Sequence, residues 1–266
     1  MQARDFRKWG LEALQKNWLT AVALCFVGTV LGGGIDLISG FFMPTTEESM
    51  TQLPNMLELA GSGAWTSMFT ITVVSILLGI VLGGALQLGM AHYFTNLTAN
   101  RPASFRNLFA RFDILGKALW MKIVTGFYIL LWTLTGVIPA TVAAYLLTMG
   151  MAQALPGFAL LFGMIGAIPG VVAIYRYAMV PYLIAEFPDL LVRDAMKESK
   201  RLMDGNKWRL FCLNLSFIGW ALMAFLLTMG FGSFILTPYM QAAEAAFYLK
   251  VTGRENLRYV QEEPQV

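Results

Sequence analysis

Six polar side chains sit inside or beside stretches of sequence that are otherwise apolar, and their types could do chemistry together: Gln87, His92, Arg176, Asn214, Gln241 and Glu244. Arg176 falls within AIPGVVAIYRYAMVPYLIAEFPD, a run punctuated by Pro169, Pro181 and Pro188. A charge in mid-membrane costs at least about 2.5–3.5 kcal/mol on insertion scales, so it turns toward protein or water and takes a partner. Gln241 and Glu244 are three apart and share a helix face, and Glu244 is the only acid well inside the last apolar run. The expectation is that these side chains converge on a cytoplasm-facing polar cavity centred on an Arg176–Glu244 pair, with Pro169 and Pro181 freeing backbone carbonyls around the arginine. Such a cavity would bind or move a small or lipid-like molecule. A purely structural ion pair fits the same residues, as does separate snorkelling to the headgroups.

Nothing in the chain asks for catalysis. His92 is the lone histidine, and Cys25 and Cys212 lie in separate apolar runs, where they read as packing residues. No GxSxG, HExxH or P-loop string occurs. The reading is therefore no enzyme, no cofactor and no metal site.

The elements that must position these residues follow from composition. Of 266 residues 57% are hydrophobic and 13% charged, and the mean hydropathy is +0.62; ordinary soluble domains carry about 25% charged residues. This predicts an all-α polytopic membrane bundle, one domain over residues 1–250 followed by a cytoplasmic tail, 251–266. The net charge of +3 does not imply nucleic-acid binding, because the basic residues lie between apolar runs, where they orient the chain in the bilayer. Runs long enough for a hydrocarbon core of roughly 30 Å lie at 18–39, 67–95, 118–148 and 155–185. The first is preceded by charged, amphipathic sequence and followed by others, so it reads as a span rather than a cleaved leader. A last run is too long for one helix and is split at TMGFGSF into 209–229 and 231–249.

Charge asymmetry supports six spans. The N-terminus and the connections after spans two and four are rich in Lys and Arg, which places them inside. The connection holding Glu47, Glu48 and Glu58 has no basic residue, and the other two outer turns have no charge. Six spans leave both termini cytoplasmic. Asp36, near the outer end of span one, reads as interfacial.

Two inner segments read as amphipathic helices. In PDLLVRDAMKESKRLMDGNKW, Leu191, Ala195, Met196, Ser199, Leu202 and Met203 share a face, with Asp189 placed to cap the start and Gly205 to end it. In RDFRKWGLEALQKNW the corresponding face is Phe6, Gly10, Ala13, Leu14 and Asn17. Either helix could lie on anionic lipid at the cytoplasmic face or pack on its neighbours as a solvated charged helix. RDFRKWGLEALQKNW and RDAMKESKRLMDGNKW both begin Arg-Asp, end in a tryptophan (Trp18, Trp208) and open a pair of spans, and SFRNLFARFDILGKALW ends similarly at Trp120. A parallel repeat of two or three units is one account; shared membrane grammar is the other. Gly83, Gly84 and Gly89 allow close helix approach, for internal packing or for dimerisation.

The segment IPGVVAIYRYAMVPYLIAEFPDLLVRDAMKESKRLMDGNKWRLFCLNLSFIGW, together with ARDFRKWGLEALQKNW, LGGALQLGMAHYF and LTPYMQAAEAAFY, resembles a bacterial integral-membrane family, domain of unknown function nine-seven-five. The resemblance spans nearly the whole chain and implies a multi-pass protein of the bacterial plasma membrane. It assigns no activity and no residue role. The leading expectation is binding or transport of a small or lipid-like molecule; the alternative is a non-catalytic scaffold or accessory subunit whose inner helices dock a membrane or cytosolic protein partner.

Overall fold

The computed structural model describes residues 2–15, 17–32, 64–150, 156–228 and 232–254. These residues are mostly helical, with no strand among them. In chain order the helices are α1 (Ala3–Leu14), α2 (Trp18–Gly32), α3 (Ala64–Thr98), α4 (Leu115–Gly150), α5 (Pro156–Arg176), α6 (Val180–Glu186), α7 (Val192–Leu202), α8 (Lys207–Thr228) and α9 (Ser233–Val251). Two 3-10 turns, Phe105–Leu108 and Phe112–Ile114, lead into α4. The apolar runs thus become α2, α3, α4, α5 with α6, α8 and α9. Three of these stretches, Phe105–Val142, Gly163–Glu186 and Lys207–Thr228, are long and apolar enough to cross a membrane. Asp36, the acidic connection, the turn at 151–155, the centre of the glycine turn and most of the tail lie outside the described residues.

The run expected as one helix at 155–185 is broken. Pro181 has no N–H to give and its ring crowds the carbonyl four residues back, so α5 ends at Arg176 and α6 restarts at Val180. The step is tightened by three-residue bonds, Ala178 N to Tyr175 O at 3.5 Å and Val180 N to Tyr177 O at 3.1 Å.

α1 and the C-terminal end of α9 share one end of the bundle, here the basal end, where Phe6 meets Phe247 edge-on with ring centroids 5.3 Å apart. The well-packed core lies here. The second half of α9 is its post: Ala242, Ala243, Ala245 and Ala246 are fully buried, and side chains this small let other helices press against its backbone. A Cβ on Gly10 of α1 would stand 2.8 Å from Ala243 N and 3.1 Å from Ala242 C. Trp9 Nε1 donates to the Thr98 carbonyl at 3.1 Å, tying α1 to the end of α3. The apolar face of α1 (Phe6, Trp9, Gly10, Leu14) is therefore covered by protein, not lipid. The same holds for α7, which buries Val192, Ala195, Met196 and Ser199. Packing on neighbours thus accounts for both apolar faces. Asp189 does not cap α7; the turn after α6 runs on to Leu191, which is the N-cap residue. α7 ends at Leu202, and Gly205, expected to end it, takes the left-handed conformation just beyond, φ +74°.

Away from the basal end, α4 and α5 pack mainly on each other. Gly166 and Gly170 lie four apart on α5; a Cβ on Gly166 would stand 2.8 Å from Gly136 O, and one on Gly170 would run into the Thr133 hydroxyl. This is backbone-close helix pairing of the kind small residues allow in lipid. The outer surfaces carry exposed Phe127, Leu130, Ile138, Met164, Ile165 and Ile168, a surface made for an apolar surrounding. Gly84 and Gly89 serve internal packing: their added Cβ atoms would meet Ala118 O at 3.0 Å and the backbone of Leu108, respectively.

Candidate functional site

The six residues singled out above fall into four places, because each helix presents them at a different azimuth. Glu244 on α9 is approached by Tyr182 of α6, whose hydroxyl stands 3.4 Å from Glu244 Oε2 and 3.5 Å from Gln241 Oε1. Asn214 of α8 lies within hydrogen-bonding reach of the same carboxylate. Gln241, Glu244 and Asn214 are thus brought together around Tyr182, a buried group that composition alone does not mark as polar.

Arg176 is elsewhere. Among the described residues no carboxylate lies within 4.0 Å of its guanidinium, so the expected pair with Glu244 is not made. The helix ends at Arg176, and its side chain runs to α4, where Cζ sits 5.8 Å from the centroid of the Trp132 ring. That is a cation–π contact, of about 0.5–2 kcal/mol depending on desolvation. Its backbone carbonyl, freed by the break, accepts from Ser199 Oγ of α7 at 3.0 Å, while its Nε is buried without a hydrogen-bond partner.

His92 occupies a third place. Arg111 Nη2 is 3.3 Å from Nδ1 and the Asn96 amide is 3.1 Å from Nε2. A guanidinium can only donate, so Nδ1 accepts from Arg111. Nearby, Glu186 at the end of α6 accepts from Tyr248 Oη at 2.6 Å and from Arg254 Nη1, with Arg101 Nη1 at 3.8 Å. The rings of Tyr182 and Tyr248 stack, centroids 5.3 Å apart and 22° between planes. Their hydroxyls serve different carboxylates, Glu244 and Glu186, so a pair of tyrosines links the inner cluster to the basal one.

Gln87 lies apart from all of these, in the wall of a cavity of about 280 Å³ between α3, α4 and the α5–α6 break. Lys122, Thr125, Tyr177 and Pro181 line it too, and Lys122 is the one charged residue among the lining residues. Gly84 makes this possible, since a Cβ there would stand 3.3 Å from Lys122 Cγ; its absence lets the lysine stem lie against α3. Thr125 Oγ1 is buried without a partner, although Thr133 and Thr135 of the same helix each bond the carbonyl four residues back, both at 2.8 Å. Thr125 thus has a donor and acceptor left over beside a cation. Lys122 was not among the expected site residues, although the cost of a charge in an apolar run bears on it as on Arg176: it is a basic residue seven positions into a long apolar helix, about 10 Å from its start.

A family model described as "Protein of unknown function (DUF975)" matches residues 1–255. The chain belongs to that family. No curated protein and no solved structure matches it. Since the family description names no activity, the chemistry rests on the side chains.

Those side chains differ in what they can do. The Glu244 carboxylate is engaged by Tyr182 and Asn214, with Asn214 Oδ1 left buried without a partner, and neither Glu244 nor Arg176 lines the cavity at the break. That cavity offers an ammonium, an amide, an unpartnered hydroxyl and a phenol with no acid among them, an arrangement that favours a small anion over a cation. No group of three or more His, Cys, Asp or Glu able to hold a metal ion occurs among the described residues.

Proposed function

We propose that this is a six-crossing protein of the bacterial plasma membrane, both termini cytoplasmic, that binds a small anion of the carboxylate or phosphate class at the α5–α6 break without catalysing its conversion. The observation that carries the reading is Lys122 in the 280 Å³ cavity beside Gln87 and the unpartnered Thr125 hydroxyl. A cation within an apolar helix is costly, and interrupted helices with cavities at the break are how many membrane proteins expose backbone and charge to a solute. Six crossings rest on the six apolar runs and on basic residues that recur at the basal end, which we assign to the cytoplasm. The placement of α1 before the α2–α3 pair and α7 before α8–α9 supports a parallel repeat, with 3-10 turns in place of the helix before α4.

Thermal unfolding of the purified protein at constant ionic strength, with acetate or inorganic phosphate as probe, tests the site. The reading requires saturable stabilisation by one of these anions, lost in Lys122→Met while that variant still folds. Equal response of the two proteins to both anions would refute it. Flux of the stabilising anion into proteoliposomes then separates transport from binding.

A scaffold is the second reading. It is favoured by the outer face of α7, where Arg193, Lys197, Lys200 and Arg201 are exposed while the opposite face is held in the bundle. A cytosolic partner captured by the wild-type protein and lost on charge reversal of these four residues supports it, provided anion stabilisation is unchanged.

A further inference from the structure

A second, larger cavity lies on the other side of the bundle, between α1 and the α8–α9 hairpin, and its chemistry is divided end to end. It has a volume of about 660 Å³. At one end stand Arg4, Arg7 and Lys8 of α1. From there it runs between α8 and α9 past Tyr239 and Trp220 to the hairpin turn at Thr228 and Gly232. Tyr239 and Gly232 are seven residues apart on one helix, so the apolar part is about 10 Å long. Trp220 and Leu227 in its wall are 62% and 74% exposed. Three cations and no acid line the cavity; the nearest acid on α1, Asp5, is taken up by the Gln2 backbone N–H at 2.7 Å.

From this we infer that the groove holds one anionic phospholipid, its phosphate on Arg4, Arg7 and Lys8 and an acyl chain along α8 and α9. The inference is independent of the anion site at the helix break, with which the groove shares no residue.

Charge and shape together select this occupant. A free phosphate would be held by the cationic end but would leave the apolar length of the groove unexplained, and a neutral lipid would fill the length but leave three cations without a counter-ion. Arg7 lies close enough to Tyr239 to act on its phenol electrostatically, which places the cationic end against the start of the apolar walls with no gap between. Its Nε is buried without a partner, so the guanidinium has bonding capacity left for a phosphate, which it can grip with two parallel bonds. The cations are on α1, whose opposite face is locked to α9 through Phe6 and Gly10, so they cannot swing away to solvent as a loop could. With the basal end cytoplasmic, they sit at the level of the inner-leaflet headgroups, where anionic lipid is concentrated.

Native mass spectrometry of the full chain, released from mild detergent, tests the assignment. The probes are phosphatidylglycerol, phosphatidylcholine of the same chains, and inorganic phosphate. The expected result is a single phosphatidylglycerol adduct, preferred over phosphatidylcholine on the order of tenfold for a site with several cations. Arg7→Gln with Lys8→Gln should reduce that preference to near unity. Ala224→Phe, which fills the groove from α8, should remove both lipids. Lys197→Gln with Lys200→Gln, the same charge change on α7, should leave the preference intact and controls for net charge. Equal lipid binding by the Arg7/Lys8 variant and the wild type would overturn the proposal. So would inorganic phosphate displacing the adduct while Ala224→Phe retains it, since that describes an anion site without an acyl groove. Retained anion stabilisation shows that each variant is folded, or, should the site at the break itself fail, an unchanged thermal midpoint does.

Discussion

Gly10→Ala discriminates between a helix lying on lipid and one docked on protein, because the two arrangements give opposite signs. In an exposed or lipid-covered helix interior, alanine is favoured over glycine by about 0.8–1 kcal/mol. In this structure the added Cβ stands 2.8 Å from Ala243 N and 3.1 Å from both Ala242 C and Ala243 Cα. These are backbone atoms of the most buried stretch of α9, so they cannot turn aside as a side chain would; α1 itself must lift. Overpacking of this kind costs typically about 1–3 kcal/mol, which outweighs the propensity gain and leaves a net loss of about 1 kcal/mol. Gly10→Val has a smaller compensating propensity gain, being β-branched, and adds more bulk, so it should lose about 2–3 kcal/mol. Gly219, on α8, is the control: nothing lies within 4 Å of its added Cβ, so Gly219→Ala should be neutral or stabilising. The assays are the thermal midpoint in detergent, where 1 kcal/mol corresponds to about 2–4 °C for a chain of this size, and amide hydrogen exchange over residues 3–14. Gly10→Ala should melt lower and exchange faster in α1. A higher midpoint with unchanged exchange would refute the docking of α1, and with it the position of the three cations at the groove.

Three further outcomes follow from contacts described above. Tyr248→Phe removes a 2.6 Å hydrogen bond to the Glu186 carboxylate and should cost about 1.5–3 kcal/mol, the range for bonds to charged groups, read as a lower thermal midpoint. Arg176→Met and Glu244→Leu should act additively, with a coupling energy below about 0.5 kcal/mol in a double-mutant cycle, since they share no contact; a coupling several times larger would restore the ion pair that the sequence suggested. Gly166→Val should part α4 from α5 and destabilise by at least about 1–3 kcal/mol, whereas Gly163→Ala, whose Cβ meets nothing within 4 Å, should not.

How much of this could be read without coordinates depends on the dimension of the question. Where helices begin and end is written along the chain, because apolar runs and their punctuation by charge and glycine are one-dimensional: five of the runs match α3, α4, α5 with α6, α8 and α9 to within a few residues, and the first starts with α2 at Trp18, its far end lying outside the described residues. The apolar faces of α1 and α7 were legible too, from their spacing. What covers those faces was not, since an apolar stripe serves lipid and protein alike, and only the glycine at position 10 hints at a neighbouring backbone. Pro181 was visible, but a proline in an apolar run can kink a helix or end it, and the choice was made by the turn at 177–179 and by Ser199, whose hydroxyl donates to the freed Arg176 carbonyl.

The ion pair shows the limit most clearly. Depth along the membrane normal can be estimated from residue counts, and by that measure Arg176 and Glu244 are compatible. Pairing also requires azimuth, which advances by about 100° per residue, and that is set by how helices pack. Packing turned Glu244 toward Tyr182 and Asn214, sent Arg176 to the face of Trp132, and left Lys122 and Gln87 to share a cavity. Composition alone made this chain an apolar helical bundle with basic residues gathered between its runs; which charge meets which partner was decided in three dimensions, because contact depends on the rotation of each helix about its own axis.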